Sequence, residues 1–187
     1  IDADDSIGET CVIKIFSKTL KDLAEGEMLQ LQKAQNGDAN EEDYLRIIYS
    51  KTASLFEASC VSAAISVGSP DVYIQAARDY SVSLGIAFQI QDDILDYSGT
   101  EAVGKPLGAD ILEQKITMPL LGALKQVDSD VASGIIKKVE EITGHPEYRE
   151  EILDFVKEHG GIDYATSALS GYVEQAIRAL DVLPDSK

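Results

Sequence analysis

The stretch Gly85-Ile-Ala-Phe-Gln-Ile-Gln-Asp-Asp-Ile-Leu-Asp-Tyr97 decides how the rest of this sequence is read. It forms the last turns of a long helix opened by Ser69-Pro70-Asp71, an N-cap followed by a first-turn proline. At about 3.6 residues per turn, Gln89, Asp92, Asp93 and Asp96 share one side of that helix. Three aspartates so close together repel one another, and they sit near a helix C-terminus, where the macrodipole already disfavours anions. A hard divalent cation with an anionic substrate would reverse the local field. Mg²⁺ takes one or two carboxylates and fills its other positions with water and phosphate oxygens. A solvated acidic helix end is the alternative. Against it stand two apolar stripes, Ile74, Ala77, Leu84, Phe88 and Leu95 on one side and Val82, Ile86, Ile90 and Ile94 on another, which predict a buried central helix. Spacing alone leaves both readings open.

Working outward, glycine and proline separate long periodic segments and almost nothing alternates with period two, so the chain reads as all-α. A first helix is expected over Ser6 to Gln35, with Ile15, Leu20, Leu23 and Leu31 as its stripe, interrupted by Glu27 and Gln30. Asn40 followed by Glu41-Glu-Asp43 is an N-cap with acidic residues in the first turn, opening a helix that runs from Glu41 to Val67. After Tyr97, three glycines and a proline between Ser98 and Asp110 predict a mobile loop. Four shorter helices come next: Asp110–Leu124, Asp128–Ile142, Pro146–Glu158 and Ile162–Leu183.

At 187 residues the length fits one domain with a sizeable core, so 1–187 is read as a single unit. A net charge of −17 argues against nucleic acid or an anionic membrane surface as partner. No apolar run approaches the roughly eighteen residues of a transmembrane segment, and no signal-peptide pattern opens the chain. Two cysteines, Cys11 and Cys60, in apolar helical surroundings fit reduced thiols and a cytoplasmic setting.

In the second helix the inward stripe is Tyr44, Ile48, Leu55 and Phe56, and Lys51 and Thr52 fall inside it. Lysine is rarely buried without a partner. Either its stem snorkels to the surface, or its ammonium and the Thr52 hydroxyl face the same cavity as the aspartates. Lys105, flanked by Gly104 and Gly108, and Lys115, ahead of the apolar run Ile116 to Leu121, come soon after the aspartates. Three lysines converging on three aspartates suit a bound Mg²⁺–diphosphate. His145 and His159 lie near helix breaks without matching partners and carry no assigned chemistry.

The pattern Gly85-x-x-Phe88-Gln89-x-x-Asp92-Asp93-x-x-Asp96 resembles the second aspartate-rich motif of the trans-isoprenyl (polyprenyl) diphosphate synthases. Gly104-Lys105-Pro106-x-Gly108-x-Asp110 and Lys115-x-Thr117-x-Pro119-Leu120 are similar to the segments downstream of that motif in the family. Gly26-Glu27-x-x-Gln30, Lys51-Thr52-x-x-Leu55-Phe56 and Gly160-Gly161-Ile162-x-Tyr164-Ala165 match further blocks in order. The resemblance implies a helical bundle of the isoprenoid-synthase type around a central cavity, and a Mg²⁺-dependent prenyltransferase. Such an enzyme condenses an allylic diphosphate with isopentenyl diphosphate in isoprenoid biosynthesis. It further implies Asp92, Asp93 and Asp96 as metal ligands, with Asp110 helping from outside. Lys105 and Lys115 would contact the allylic diphosphate; Lys51, Thr52 and Gln89 would stand around the reacting allyl group; Phe88 would line the isopentenyl site. A homodimer is implied as well.

The family's first aspartate-rich motif, its arginine pair and its N-terminal isopentenyl-diphosphate segment have no match here, since Asp2-Ala-Asp4-Asp5 has the wrong spacing. The N-terminal helices of the bundle are therefore expected to be missing, the 187 residues alone are expected to be inactive, and product length is unreadable. The alternatives are a class I terpene cyclase, against which the Gly-Lys-Pro loop and the Lys51-Thr52 pair argue, and an incomplete subunit of a heteromeric synthase. A calcium loop does not fit, because its ligands belong on a glycine-containing loop rather than a helix.

Overall fold

The computed structural model describes the backbone of residues 3–36, 40–98 and 107–184, and the side chains of all of these but 3–9 and 34–36. The described residues form helices α1 (Ala3–Asn36), α2 (Glu41–Ile48), α3 (Ser54–Ser66), α4 (Asp71–Ser98), α5 (Ala109–Leu112), α6 (Met118–Leu124), α7 (Ser129–Glu140), α8 (Tyr148–Glu158) and α9 (Gly161–Ala179). The expected all-α class holds throughout them. Asn40 caps α2 as its sequence predicts, its side chain accepting the Asp43 N–H at 2.8 Å.

Helix α4 is the spine. It packs chiefly against α9 and α3, and its Ile86, Ile90 and Ile94 join Tyr44, Ile48, Ala53, Met118, Leu121 and Ala165 in one core. A second core, from Tyr97 and Ile111 through Leu120, Val139 and Val156, ties α5 to α8 beneath the C-terminal end of α4. Only one of the two apolar stripes of α4 is buried. On the other, Phe88 is 57% exposed and Leu95 46%.

The expected helix from Glu41 to Val67 contains an irregularity that the sequence did not reveal. Tyr49–Ala53 is a π-helical turn between α2 and α3, closed by the Ser54 N–H donating to the Tyr49 carbonyl. One extra residue per turn rotates everything downstream by about 100°. Leu55 is accordingly exposed rather than inward, and Ala53, Ser54, Glu57, Ala58 and Val61 are buried in its place. The turn fits because both neighbours offer glycine. A Cβ on Gly26 of α1 would stand 2.7 Å from the Ser50 Cβ, and one on Gly85 of α4 would stand 2.6 Å from the Ala53 Cα. Helix α1 turns inward the side that carries Ile15 and Leu23, but not the other half of its expected stripe. Thr19 and Gly26 are buried while Leu20 and Leu31 are mostly exposed.

The expected helix Asp110–Leu124 is two helices. Gln114 takes a positive φ of 58° and Thr117 is extended, so the chain breaks between α5 and α6. Pro119 falls in the first turn of α6, where its missing N–H costs nothing. Helix α9 stops at Ala179, earlier than its periodic pattern suggested.

Candidate functional site

The π turn, the C-terminal half of α4, the end of α1, the start of α2 and the α5–α6 connection enclose a cavity of about 210 Å³. Its wall includes Gln30, Lys33, Asp43, Tyr44, Lys51 and Thr52 on one side and Gln89, Asp93, Asp110 and Lys115 on the other. Of the residues singled out in the sequence, Lys51, Thr52, Gln89, Asp93 and Lys115 line this cavity, and Asp92 and Asp96 do not.

Asp93 is the most buried of the aspartates, at 2% exposure. Its two oxygens are held separately: the Tyr44 hydroxyl donates to Oδ2 at 2.5 Å, and the Gln89 amide nitrogen donates to Oδ1 at 3.2 Å. The Gln89 carbonyl in turn accepts the Thr52 hydroxyl at 3.0 Å. Burial pushes the Asp93 carboxyl up to about 7; the Tyr44 and Gln89 bonds oppose this, and the charges of Asp110 and Asp92 add to it. Asp96 is raised as well, mainly by burial, although its oxygens accept the backbone N–H groups of Ala109 at 3.0 Å and Asp110 at 3.1 Å. Those bonds, with the Gly108 N–H on the Asp96 carbonyl at 2.8 Å, fasten residues 108–110 to the end of α4. That part of the expected mobile loop is tied down. Lys105, with the rest of the loop over 99–106, lies outside the described residues.

Asp92 is exposed, one turn from Asp96 and outside the cavity wall. Phe88 does not line the cavity either; its ring meets Phe56 at 5.7 Å on the uncovered side of α4. The lysines of the wall all have carboxylate partners. Lys51 meets Glu27 at 2.7 Å and the Gln30 side-chain Oε1 at 2.5 Å, and Lys33 meets Asp43 at 2.5 Å. Lys115 bridges Glu113 at 2.6 Å and Asp110 at 3.0 Å. Burial pulls Lys115 down, but those two bonds outweigh it and hold the ammonium above its ordinary range.

Sequence reasoning placed Tyr44 in the core only and did not single out Lys33. Both had a signal. Tyr44 precedes Lys51 by seven residues, on the same helix face, and a buried phenol needs a partner. Lys33 comes seven residues after Gly26 and three after Gln30.

Among the described residues no three of His, Cys, Asp and Glu converge as a ready-made metal cage. The donor set still fits Mg²⁺. It consists of oxygens alone, Asp92 and Asp96 are one turn apart, and the burial cost on Asp93 is of the kind a nearby cation relieves.

A family model described as polyprenyl synthetase matches residues 5–156. The octaprenyl diphosphate synthase of Haemophilus influenzae is 38% identical over 177 residues, which are 94% of this chain and 54% of that protein. The all-trans-nonaprenyl-diphosphate synthase of Rhodobacter capsulatus is 37% identical over 187 residues, 100% of this chain and 55% of its own length. Among solved structures, the geranylgeranyl pyrophosphate synthase of Bacteroides thetaiotaomicron superposes with a TM-score of 0.84 at 41% identity, covering 93% of this chain and 58% of that one. The chain spans about half the length of the relatives it matches. None of these three is a terpene cyclase. With a family model over most of its length and a matching helical architecture, the chain belongs to the polyprenyl synthetase family.

Proposed function

We propose that this chain contributes the allylic half of the active site of a Mg²⁺-dependent trans-prenyltransferase. The enzyme would join an allylic diphosphate to isopentenyl diphosphate and release a longer prenyl diphosphate. The observation that carries the reading is the bonded series Thr52–Gln89–Asp93 in one cavity, with Lys51 and Lys115 on the same wall.

Asp92, Asp93 and Asp96 would hold Mg²⁺, with Asp110 close enough to add to their field. Bound there, the metal would draw negative charge onto the departing diphosphate. Lys51 and Lys115 would exchange their present carboxylate partners for phosphate oxygens, and Lys105 would join them from outside the described residues. Thr52 and Gln89 would direct the negative ends of their dipoles at the allylic carbon as its C–O bond opens. The isopentenyl double bond then forms the new C–C bond, and a proton leaves the adduct. Phe88 would serve the isopentenyl side from a surface that this chain leaves open.

A homodimer belongs to the same proposal, supported by Ile13, Phe16 and Leu20, which place an exposed apolar stripe on α1. So does a cytoplasmic location, where free thiols such as Cys11 and Cys60 persist. Among the described residues no helix is long and apolar enough to cross a membrane.

The test is an extension assay on the native full-length polypeptide with geranyl or farnesyl diphosphate, labelled isopentenyl diphosphate and Mg²⁺. Chain-extended product that disappears with chelator is expected. Cyclised hydrocarbon, or no product from a monodisperse sample, would overturn the reading. Sedimentation of the same sample decides between a homodimer and a subunit that needs a different partner.

A further inference from the structure

Tyr44 is 6% exposed, yet its hydroxyl reaches the cavity side of α4 to meet Asp93 at 2.5 Å. Its bond occupies Oδ2 and leaves Oδ1 to Gln89. Gln89 turns its NH₂ to the other oxygen of the same carboxyl, at 3.2 Å. The amide carbonyl must then face Thr52. A hydroxyl has one proton to give, and Thr52 gives it to that carbonyl at 3.0 Å. What Thr52 has left for the cavity is lone pairs, which favour a positive charge and repel phosphate.

We propose that Tyr44 is a positioning residue that sets the polarity of the Asp93–Gln89–Thr52 relay, so that Thr52 offers acceptors only to the reacting carbon. The proposal rests on the prenyl-transfer reading for its chemical meaning, but the relay itself does not. Without the phenol proton, Asp93 Oδ2 is a buried acceptor with no donor. The Gln89 NH₂ is the group already in contact with that carboxylate, and turning to serve both oxygens draws its carbonyl away from Thr52.

The experiment uses Tyr44→Phe, Thr52→Val and the double variant in the native full-length polypeptide. Tyr44→Phe keeps the ring that packs in the core, and a thermal melt confirms folding. It is expected to lower kcat by about tenfold while KM for either diphosphate moves by less than about twofold, the signature of an interaction made in the transition state. The double variant is expected to be no slower than Thr52→Val alone, because both changes break one series. Full multiplication of the two losses would overturn the proposal. Gln89→Glu, which sets an acceptor against Asp93, breaks the relay from its middle and should show the same non-additivity with Tyr44→Phe.

A second readout needs no activity. The side-chain ¹⁵N–H₂ resonances of Gln89 should shift in both Tyr44→Phe and Thr52→Val. If they stay in place in Tyr44→Phe, Tyr44 does not act through Gln89 and the proposal falls. If the wild-type protein shows no prenyl transfer, the functional reading falls, and the amide resonances still decide the relay.

Discussion

Asp93 carries an electrostatic cost of burial in the folded chain. Its carboxyl is pushed from the usual carboxylate range, about 3.9, up to about 7 in the folded chain, by burial first. The folded state therefore holds this proton more tightly than the unfolded chain does. The sign is then set: the group costs nothing below pH 4, costs progressively more as pH rises, and reaches its full cost above pH 7. That cost is on the order of a few kcal/mol. The ligand-free melting temperature should therefore fall between pH 5 and pH 8, and Asp93→Asn should flatten that part of the profile. A profile unchanged by the substitution would show that the carboxyl is already ionised at pH 5. Mg²⁺ with a bisphosphonate should restore the loss at pH 8 more than either does alone. Lys51 behaves differently. Its ion pair with Glu27 is partly exposed and contributes at most about 1 kcal/mol. Lys51→Ala should thus leave the melting temperature nearly unchanged while lowering kcat by about 10²–10³. Steady-state rates set beside a melt separate the two; a large loss of stability with turnover spared would make Lys51 a packing residue.

At the scale of elements, Gly85 and Gly26 clamp the π turn from α4 and α1. Gly85→Ala would place a methyl 2.6 Å from the Ala53 Cα. Backbone cannot give way as a side-chain tip can, so a loss of about 1–3 kcal/mol is expected. Gly134 on α7 supplies the control, since a Cβ there meets nothing within 4 Å. Gly134→Ala should instead stabilise by about 0.5–1 kcal/mol. Chemical denaturation of the two variants reads both signs. These elements also show what a sequence carries legibly. The helix starts at Asn40 and Pro70 were readable, because caps and first-turn prolines are local chemistry. Type and spacing set Gln89 and Asp93 on one side of α4, and left Lys51 and Thr52 between the surface and the same cavity. The π turn was not readable. An added residue leaves no mark on composition or period until the helix after it rotates, and the assignment of Leu55 and Phe56 to the inward stripe failed at that point. The break between α5 and α6 lay partly in view, because Pro119 marks a helix start as well as it marks an interruption.

Over the whole molecule, the described residues leave large apolar side chains exposed, among them Ile13, Phe16 and Leu20 on α1 and Leu55, Phe88 and Leu95 on α3 and α4. Solitary exposed leucines are ordinary, but contiguous ones mark a surface that something covers. Residues 1–187 made by themselves should therefore self-associate in a sedimentation experiment and show no chain extension. A monomer with robust turnover would refute both expectations. The π turn has one more consequence, for how this chain tolerates insertions and deletions. Removing a single residue between Tyr49 and Ala53 would turn the wide turn into an ordinary one, while α2 and α3 kept their places and their buried sides. Most deletions within a helix ruin packing downstream. This one should be nearly silent to a melt and fatal to the chemistry, because the side chains that lose their footing are Lys51 and Thr52.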